Sequence, residues 1–530
     1  MQVSISLITG WVSGQLFVPP AFSGRDLLTD PLVIRWELAL IQAIVGRFKQ
    51  HPAVVSWGPG NEIDCMQKVS DRHSAVLWLK IIANAIRLAD ENRHPIVSGM
   101  HSLLPGPIDL LESKIPVWTI QDNGEVFDQL TVHPYPLFTP LCDLSRPDEF
   151  RNCFHAAAES TFYATIGNRP CLVEEFGTFS RMFLGGESKV GYIRAALWNC
   201  WTHQCAGFFW WCANSHTNVH KSPYTWSSCE RELGLVDEAG EIQEFAQVFG
   251  EFNRLTAQLP FALPEIHPDA VCLLTGDQDC WANAFGAFLL AEQAGLRLSF
   301  VCAGDPLPEA SLYLVPGVSG AIGLEQELYE ELLRRAEQGA RVVFSCKDGF
   351  LSPADRFWGF SPDFIEHAAG PVTVTGDGFS FVMTPSRHYR IHPSSSQVWA
   401  TADGEPVLFE QKYGAGSLLL LTLPVEEYAA KSHSDINHPE KFQAYRLYEK
   451  YAVAILAERP ARSTSPKCSV SCHRLEERSA IVVAVNNDPD SCVRPLRLHS
   501  AWRMAELYHG SLDGLPHHGV LICRLEKQEG

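Results

Sequence analysis

Residues His51 to Asp64 read HPAVVSWGPGNEID, and residues Arg169 to Phe179 read RPCLVEEFGTF. Each is a short apolar run followed by glycine, the pattern of a buried strand that stops abruptly. The first run, Ala53–Trp57, meets Gly58-Pro59-Gly60, which predicts a tight turn delivering Asn61 and Glu62 to the strand end. The second, Cys171–Val173, delivers Glu174 and Glu175 to its end, with Gly177 free to bend. In folds built from parallel strands, the loops at C-terminal strand ends are where reactive side chains collect.

The same alternation extends on both sides. Apolar runs at Val3–Thr9, Pro95–Ser98, Leu130–His133 and Gly207–Trp211 bring the expected strands to six. Amphipathic stretches at Leu32–Phe48, Ser74–Leu88, Glu149–Ile166 and Val190–Trp201 supply helices between them, which is the signature of repeated βα units over residues 1–258. Glu62 and Glu175 stand 113 residues apart, enough for three units of about 30 residues or more each. Leu16–Leu28 reads as loop.

A second α/β region is expected over 265–457. It opens with VCLLTGD, continues through a helix at Trp281–Ala294, and repeats the scheme with LRLSFVCAG, SLYLVPG, EQELYEELLRRAEQG and RVVFSC. From about residue 370 the period changes to 2 (VTVTG, FSFVM, SLLLLTL), before one helix at Lys441–Ala457. Short strands such as SAIVVAVNND and GVLICRL predict a small β-sandwich over 460–530.

Composition sets bounds. The chain has 530 residues, long enough for roughly two to four domains, and is 46% hydrophobic, so disorder is excluded. A formal charge of −19 argues against a nucleic-acid partner, since phosphate binding needs clustered Lys and Arg. No run approaches the ~18 apolar residues of a membrane span, and residues 1–14 carry no basic segment or small-residue cleavage site. The 16 cysteines show no CxxC pairs and no metal-ligand spacing, which predicts reduced thiols in a cytoplasm and no metal.

Two carboxylates at facing strand ends suit glycoside hydrolysis, where one protonates the departing oxygen and the other attacks the anomeric carbon. WGPGNE and EEFG resemble the corresponding strand ends of clan A retaining glycoside hydrolases. LITGWVSGQLFVPP, VHPYP, GFFWWCA and CERELGLVDEAG are similar to passages of family 5 proteins related to β-mannanases and β-mannosidases. The resemblance implies a (β/α)8 TIM barrel with Glu62 as acid/base, Glu175 as nucleophile, and Asn61, His133, Tyr135 and Trp211 as substrate-binding residues. It further implies retaining hydrolysis of a β-mannoside, β-glucoside or β-galactoside, without metal or organic cofactor. Strand alternation aims only one of Glu174 and Glu175 inward, and the motif assigns Glu175. An ionised Glu175 is expected to raise the pKa of Glu62.

Two further expectations follow. The phrases ASLYLVPG, RRAEQGARVVFSC and KDGFL resemble the trimerisation domain of family 42 β-galactosidases, itself similar to class I glutamine amidotransferase domains with a flavodoxin-like sheet. This implies a homo-trimer. Cys346 lacks the preceding glycine of a nucleophile turn, so no second active site is expected there. In a complete barrel three βα units, about 90 residues, precede the strand of Glu62, whereas one strand and one helix are legible here. The expected fold is therefore a partial barrel, strands three to eight, with exposed edges at Val3–Thr9 and Gly207–Trp211. The alternative from another class is a catalytically inactive carbohydrate-binding or scaffold protein.

Overall fold

The computed structural model describes residues 2–106, 116–225 and 229–528. Six parallel segments pair in chain order. Val3–Ile8 pairs with Val54–Gly60, with Ile5 opposite Trp57 and Ile8 opposite Gly60. Trp57 bridges Ile96, and Val97 bridges Gln129. Leu130–Val132 then pairs with Cys171–Phe176, which pairs with Phe208–Trp210. Among the described residues, Val3–Ile8 and Phe208–Trp210 each pair on one side only.

The covering helices follow from their caps and spacing. Pro31–Phe48 starts where the Asp30 side chain accepts the Leu32 N–H, and it buries Val33, Glu37, Ile41 and Val45, one residue per turn. Arg72–Asp90 is capped by Asp71 and buries Trp78, Leu79, Ile82 and Ile86. The Trp78 indole donates to Glu37 at 3.0 Å, which ties the two helices, and Trp57 donates to Asp90 at 2.8 Å, which ties a strand to its helix.

Several expectations need correction. The Gly58-Pro59-Gly60 segment is not a turn: the strand runs through Gly60, where a Cβ would strike the Ile8 carbonyl oxygen. Pro95–Ser98 forms only single-residue bridges, since Pro95 has no N–H to donate and Gly99 turns the chain at φ +64°. Glu149–Ile166 divides at Phe154, and Lys441–Ala457 gives Tyr445–Tyr451 and Val453–Ala457. Leu16–Leu28 holds the end of a small hairpin and a 3-10 turn, and no strand of the parallel arc. The apolar edge is partly covered: Phe208 packs on Phe252 and Trp210 on Phe245 and Phe249, leaving Phe209 half exposed.

The second region is a nine-stranded mixed sheet. Its parallel part runs Leu298–Cys302, Ala270–Leu274, Leu312–Val318, Arg341–Cys346, Gly416–Leu421, the 2-1-3-4-5 order of flavodoxin-like folds. Of the period-2 strands, Gly416–Leu421 ends the parallel part, while Val372–Gly376 and Phe379–Met383, with Gln397–Ala402 and Glu405–Tyr413, extend this same sheet as an antiparallel wing. Cys346 is buried there, and burial, with Asp348 and Glu426 nearby, pushes its thiol up to about 12, which leaves it unreactive. The C-terminal part is a four-stranded antiparallel sheet beside the two-stranded ladder of Ala461–Ser463 and Leu496–Leu498.

The three parts interlock. Phe300 N–H donates to Thr165 Oγ1 at 3.0 Å, His203 meets Glu292 at 3.0 Å, and Asn199 donates to Asn487 at 2.7 Å. The buried cysteines, among them Cys171, Cys272 and Cys523, are free thiols, and among the described residues no helix is long and apolar enough to cross a membrane.

Candidate active site

At the C-terminal end of the parallel arc lies a cavity of about 590 Å³, lined by Trp11, Ser13, Asn61, Glu62, Tyr135, Glu175, Trp211 and Glu230 among others. Its framework is backbone held too close for side chains. Gly60 is wedged between the carbonyl of Ile8 and Gly99, which fixes the position at which the chain leaves the strand. Two residues later Glu62 adopts left-handed φ 46°, ψ 52°, a conformation costing a non-glycine residue about 1–2 kcal/mol. That turn starts the short helix Ile63–Met66 and places the Glu62 carboxylate over the cavity.

His133 and Tyr135 follow Leu130–Val132 and hold the two acids. His133 Nδ1 lies 2.9 Å from Glu62 Oε1 and 3.7 Å from Glu175 Oε2. Tyr135 donates its hydroxyl to Glu175 Oε2 at 2.7 Å. The Tyr135 ring leans on Phe179 and leaves no room for a side chain at Gly177, where a Cβ would stand 2.8 Å from the ring. Glu62, His133 and Glu175 each bring a donor atom within 4.8 Å of the others. Glu175 lines the cavity, whereas Glu174 sits behind His133, its Oε2 3.5 Å from Nε2.

Asn61 lines the cavity and donates to the Trp11 carbonyl at 3.1 Å. Of the adjacent tryptophans, Trp211 lines the cavity, while Trp210 donates to the Leu233 carbonyl at 2.7 Å and packs into the core. All six sequence-selected residues are thus near one space, with His133 behind its wall.

Electrostatics depart from the expectation. Burial favours the protonated form of Glu62, but the hydrogen bond and charge of His133, the charge of His101 and a hydrogen bond from Trp11 outweigh it and hold the group below its usual range. Burial and the charges of Glu62 and Glu174 keep Glu175 above its range, against His133 and the Tyr135 hydroxyl. The expected order is reversed because His133 is nearer Glu62 than Glu175. His133 itself, despite burial, is raised well above its ordinary value by Glu175, Glu174 and Glu62.

Glu230 escaped the sequence reading. It lies in CERELG, a passage selected for its resemblance without a role for its acids. Its Oε2 accepts from Trp211 Nε1 at 3.2 Å and from the Ser13 hydroxyl, and burial raises its pKa. Chain distance hid it, since Ser13 and Glu230 are 217 residues apart. A second group, Asp64, Cys65 and His101, also brings donor atoms within 4.8 Å of one another. Both Asp64 oxygens already accept backbone N–H groups of His101 and Ser102, each at 2.9 Å.

No protein-family model matches the sequence, and no curated protein matches it. Among solved structures, the chain is similar to an exo-β-1,4-mannosidase from Opitutaceae bacterium strain TAV5, at 22% identity and a TM-score of 0.65, covering 84% of this chain and 82% of that one. It is also similar to a β-galactosidase from Bacillus circulans sp. alkalophilus, at 11% identity and a TM-score of 0.67, covering 98% and 86%. The chain shares its fold with these two glycosidases. A further structure, the β-galactosidase from the Antarctic haloarchaeon Halorubrum lacusprofundi, matches at 12% identity and a TM-score of 0.65 over 94% and 83%. The likeness to the glycosidase fold therefore runs through all three parts of the chain.

Proposed function

We propose that the chain is a retaining β-glycosidase. The observation that carries this reading is the approach of Glu62 and Glu175 within 4.8 Å across an open cavity. Retention needs carboxyl groups about 5–5.5 Å apart, whereas inversion needs about 6.5–9.5 Å to admit a water between acid and base.

In the proposed reaction Glu175 attacks the anomeric carbon while Glu62 gives its proton to the departing glycosidic oxygen. The result is a covalent glycosyl-enzyme. Glu62, now ionised, takes a proton from water, whose oxygen displaces Glu175 and releases the sugar. One proton shared by the pair suffices. In the empty cavity it favours Glu175, and positive charge developing on the sugar beside Glu175 draws that carboxyl into its ionised form and leaves the proton to Glu62. Asn61 hydrogen-bonds the sugar 2-hydroxyl, Trp211 supplies an apolar wall, and Glu230 accepts from a hydroxyl further along the ring. No metal or organic cofactor takes part in these steps.

The same reading divides the chain into a partial barrel (1–258), a flavodoxin-like domain (265–457) through which copies associate, and a β domain (460–530). Nitrophenyl β-mannoside, β-glucoside and β-galactoside test the activity, and sedimentation tests the association. In Glu175→Gly, azide should restore turnover and yield the α-glycosyl azide. A wild type inert toward the whole panel would favour a sugar-binding protein instead.

A further inference from the structure

We propose that Glu174 is a positioning residue: from outside the cavity it holds the Nε2–H of His133, so that the ring keeps both protons and donates Nδ1–H to Glu62. This rests on the role given above to Glu62. Strand alternation sends consecutive residues to opposite faces, and here that puts Glu175 into the cavity and Glu174 behind the imidazole. The doubled glutamate of EEFG thus flanks one ring from two sides.

The geometry leaves little alternative for the proton count. The His133 side chain is fully buried, with Nδ1 2.9 Å from Glu62 Oε1 and Nε2 3.5 Å from Glu174 Oε2. Nε2 and Glu174 Oε2 are both buried, and among the described residues neither has a hydrogen-bond partner at normal length. At 3.5 Å they are one short adjustment from a bond with each other. A neutral imidazole has one N–H and would leave one of its two acid neighbours facing a lone pair. With Glu62 ionised on one side of the ring and Glu174 on the other, the doubly protonated form satisfies both sides.

The other charged groups do not replace Glu174. Glu175 approaches Nδ1, at 3.7 Å, and so competes with Glu62 on the same nitrogen. His101 stands edge-on with its ring centre 6.2 Å away, and Asp64 is bound to the backbone beyond it. Tyr135, on the segment of His133, is committed to Glu175. The raised pKa of His133, to which Glu174 contributes, agrees with this arrangement. The consequence for Glu62 is orientation: with Oε1 fixed by an imidazolium N–H, Oε2 is left for the glycosidic oxygen.

The test uses Glu174→Gln, which keeps shape and removes charge, and Glu174→Asp as the conservative rescue. Histidine is labelled with nitrogen-15, and the His133 signals are assigned by their loss in His133→Phe. The wild-type ring should carry two protons at pH 7.5. In Glu174→Gln its titration should fall by about one unit or more, and kcat should fall about tenfold with KM within about twofold, the pattern of lost orientation at unchanged binding. Glu174→Asp should recover part of both. A Glu174→Gln ring still doubly protonated with wild-type titration, or a wild-type kcat, would overturn the proposal. The ring is read without substrate. A wild type lacking glycosidase activity would therefore count against the function, while the nitrogen signals would still decide the link between Glu174 and His133.

Discussion

Tyr135 donates its hydroxyl to Glu175 at 2.7 Å from a ring pinned by Phe179 and Gly177. A hydrogen bond to a charged group is worth about 1.5–3 kcal/mol, and this one favours the ionised carboxylate that must attack. Tyr135→Phe should therefore lower kcat/KM about tenfold or more. Because the bond lowers the pKa of Glu175, its loss should also move the acidic limb of the kcat/KM profile to higher pH. An unmoved limb would mean that the contact is not made in solution.

Glu62 and Glu175 are coupled through charge, with Glu62 helping to keep Glu175 above its ordinary range. Glu62→Gln removes that charge, so Glu175 should ionise at lower pH than in the wild type. A dinitrophenyl β-glycoside isolates the effect, since its leaving group needs no proton from Glu62 and glycosylation then reports the ionisation of Glu175. The acidic limb of that step should shift down in Glu62→Gln, with deglycosylation slowed for want of the base. A shift in the opposite direction would contradict the assigned charges.

The contrast between Glu62 and Glu230 shows what was legible in the sequence. Glu62 follows an apolar strand, so local pattern located it; the same pattern gave the pair Glu174 and Glu175, while the choice of Glu175 and the roles of His133 and Tyr135 came from the family resemblance. Glu230 follows no strand, and its contact with Ser13 joins residues from opposite ends of the parallel arc. Only closure of the fold brings them together. Likewise the six parallel segments were readable as apolar runs, but Gly58–Gly60 read as a turn because the space between Ile8 and Gly99 is set by neighbours remote in sequence. The antiparallel wing of the second sheet was visible as period 2, yet its membership of the same sheet depends on the pairing of Glu405–Tyr413 with Gly416–Leu421. The pKa order failed for a similar reason, as it hangs on the distances from one imidazole to two acids.

Glu230 offers its own test. Glu230→Gln keeps an acceptor for Trp211 but loses the charge that would bind a sugar hydroxyl, a loss of about 1.5–3 kcal/mol. The expected result is kcat/KM down about tenfold or more, largest for the glycoside whose ring hydroxyl faces this group and smaller for its epimers. Equal losses on mannoside, glucoside and galactoside would show that Glu230 only supports Trp211.

Arg151 joins the first part of the chain to the second, and its removal should separate stability from chemistry. The side chain is fully buried and, among the described residues, no carboxylate pairs with it; instead it donates to the carbonyls of Leu141, at 2.8 Å, and of Ala430 and Ser432, while its backbone N–H donates to Asn437 at 3.0 Å. Burial lowers its pKa to about 10, so it remains charged at neutral pH. Arg151→Met fills much of the space but leaves those carbonyls without donors, at a cost of about 1–3 kcal/mol for each one that water cannot reach. A loss of several kcal/mol is expected, seen as a lower midpoint in urea unfolding. Because the bonds cross from helix Phe150–Cys153 to the C-terminal end of helix Val425–Lys431 and the segment after it, the first and second parts should lose their shared transition and unfold separately, while kcat at 25 °C stays near wild type. A single transition at the wild-type midpoint would show that the two parts are held together without Arg151.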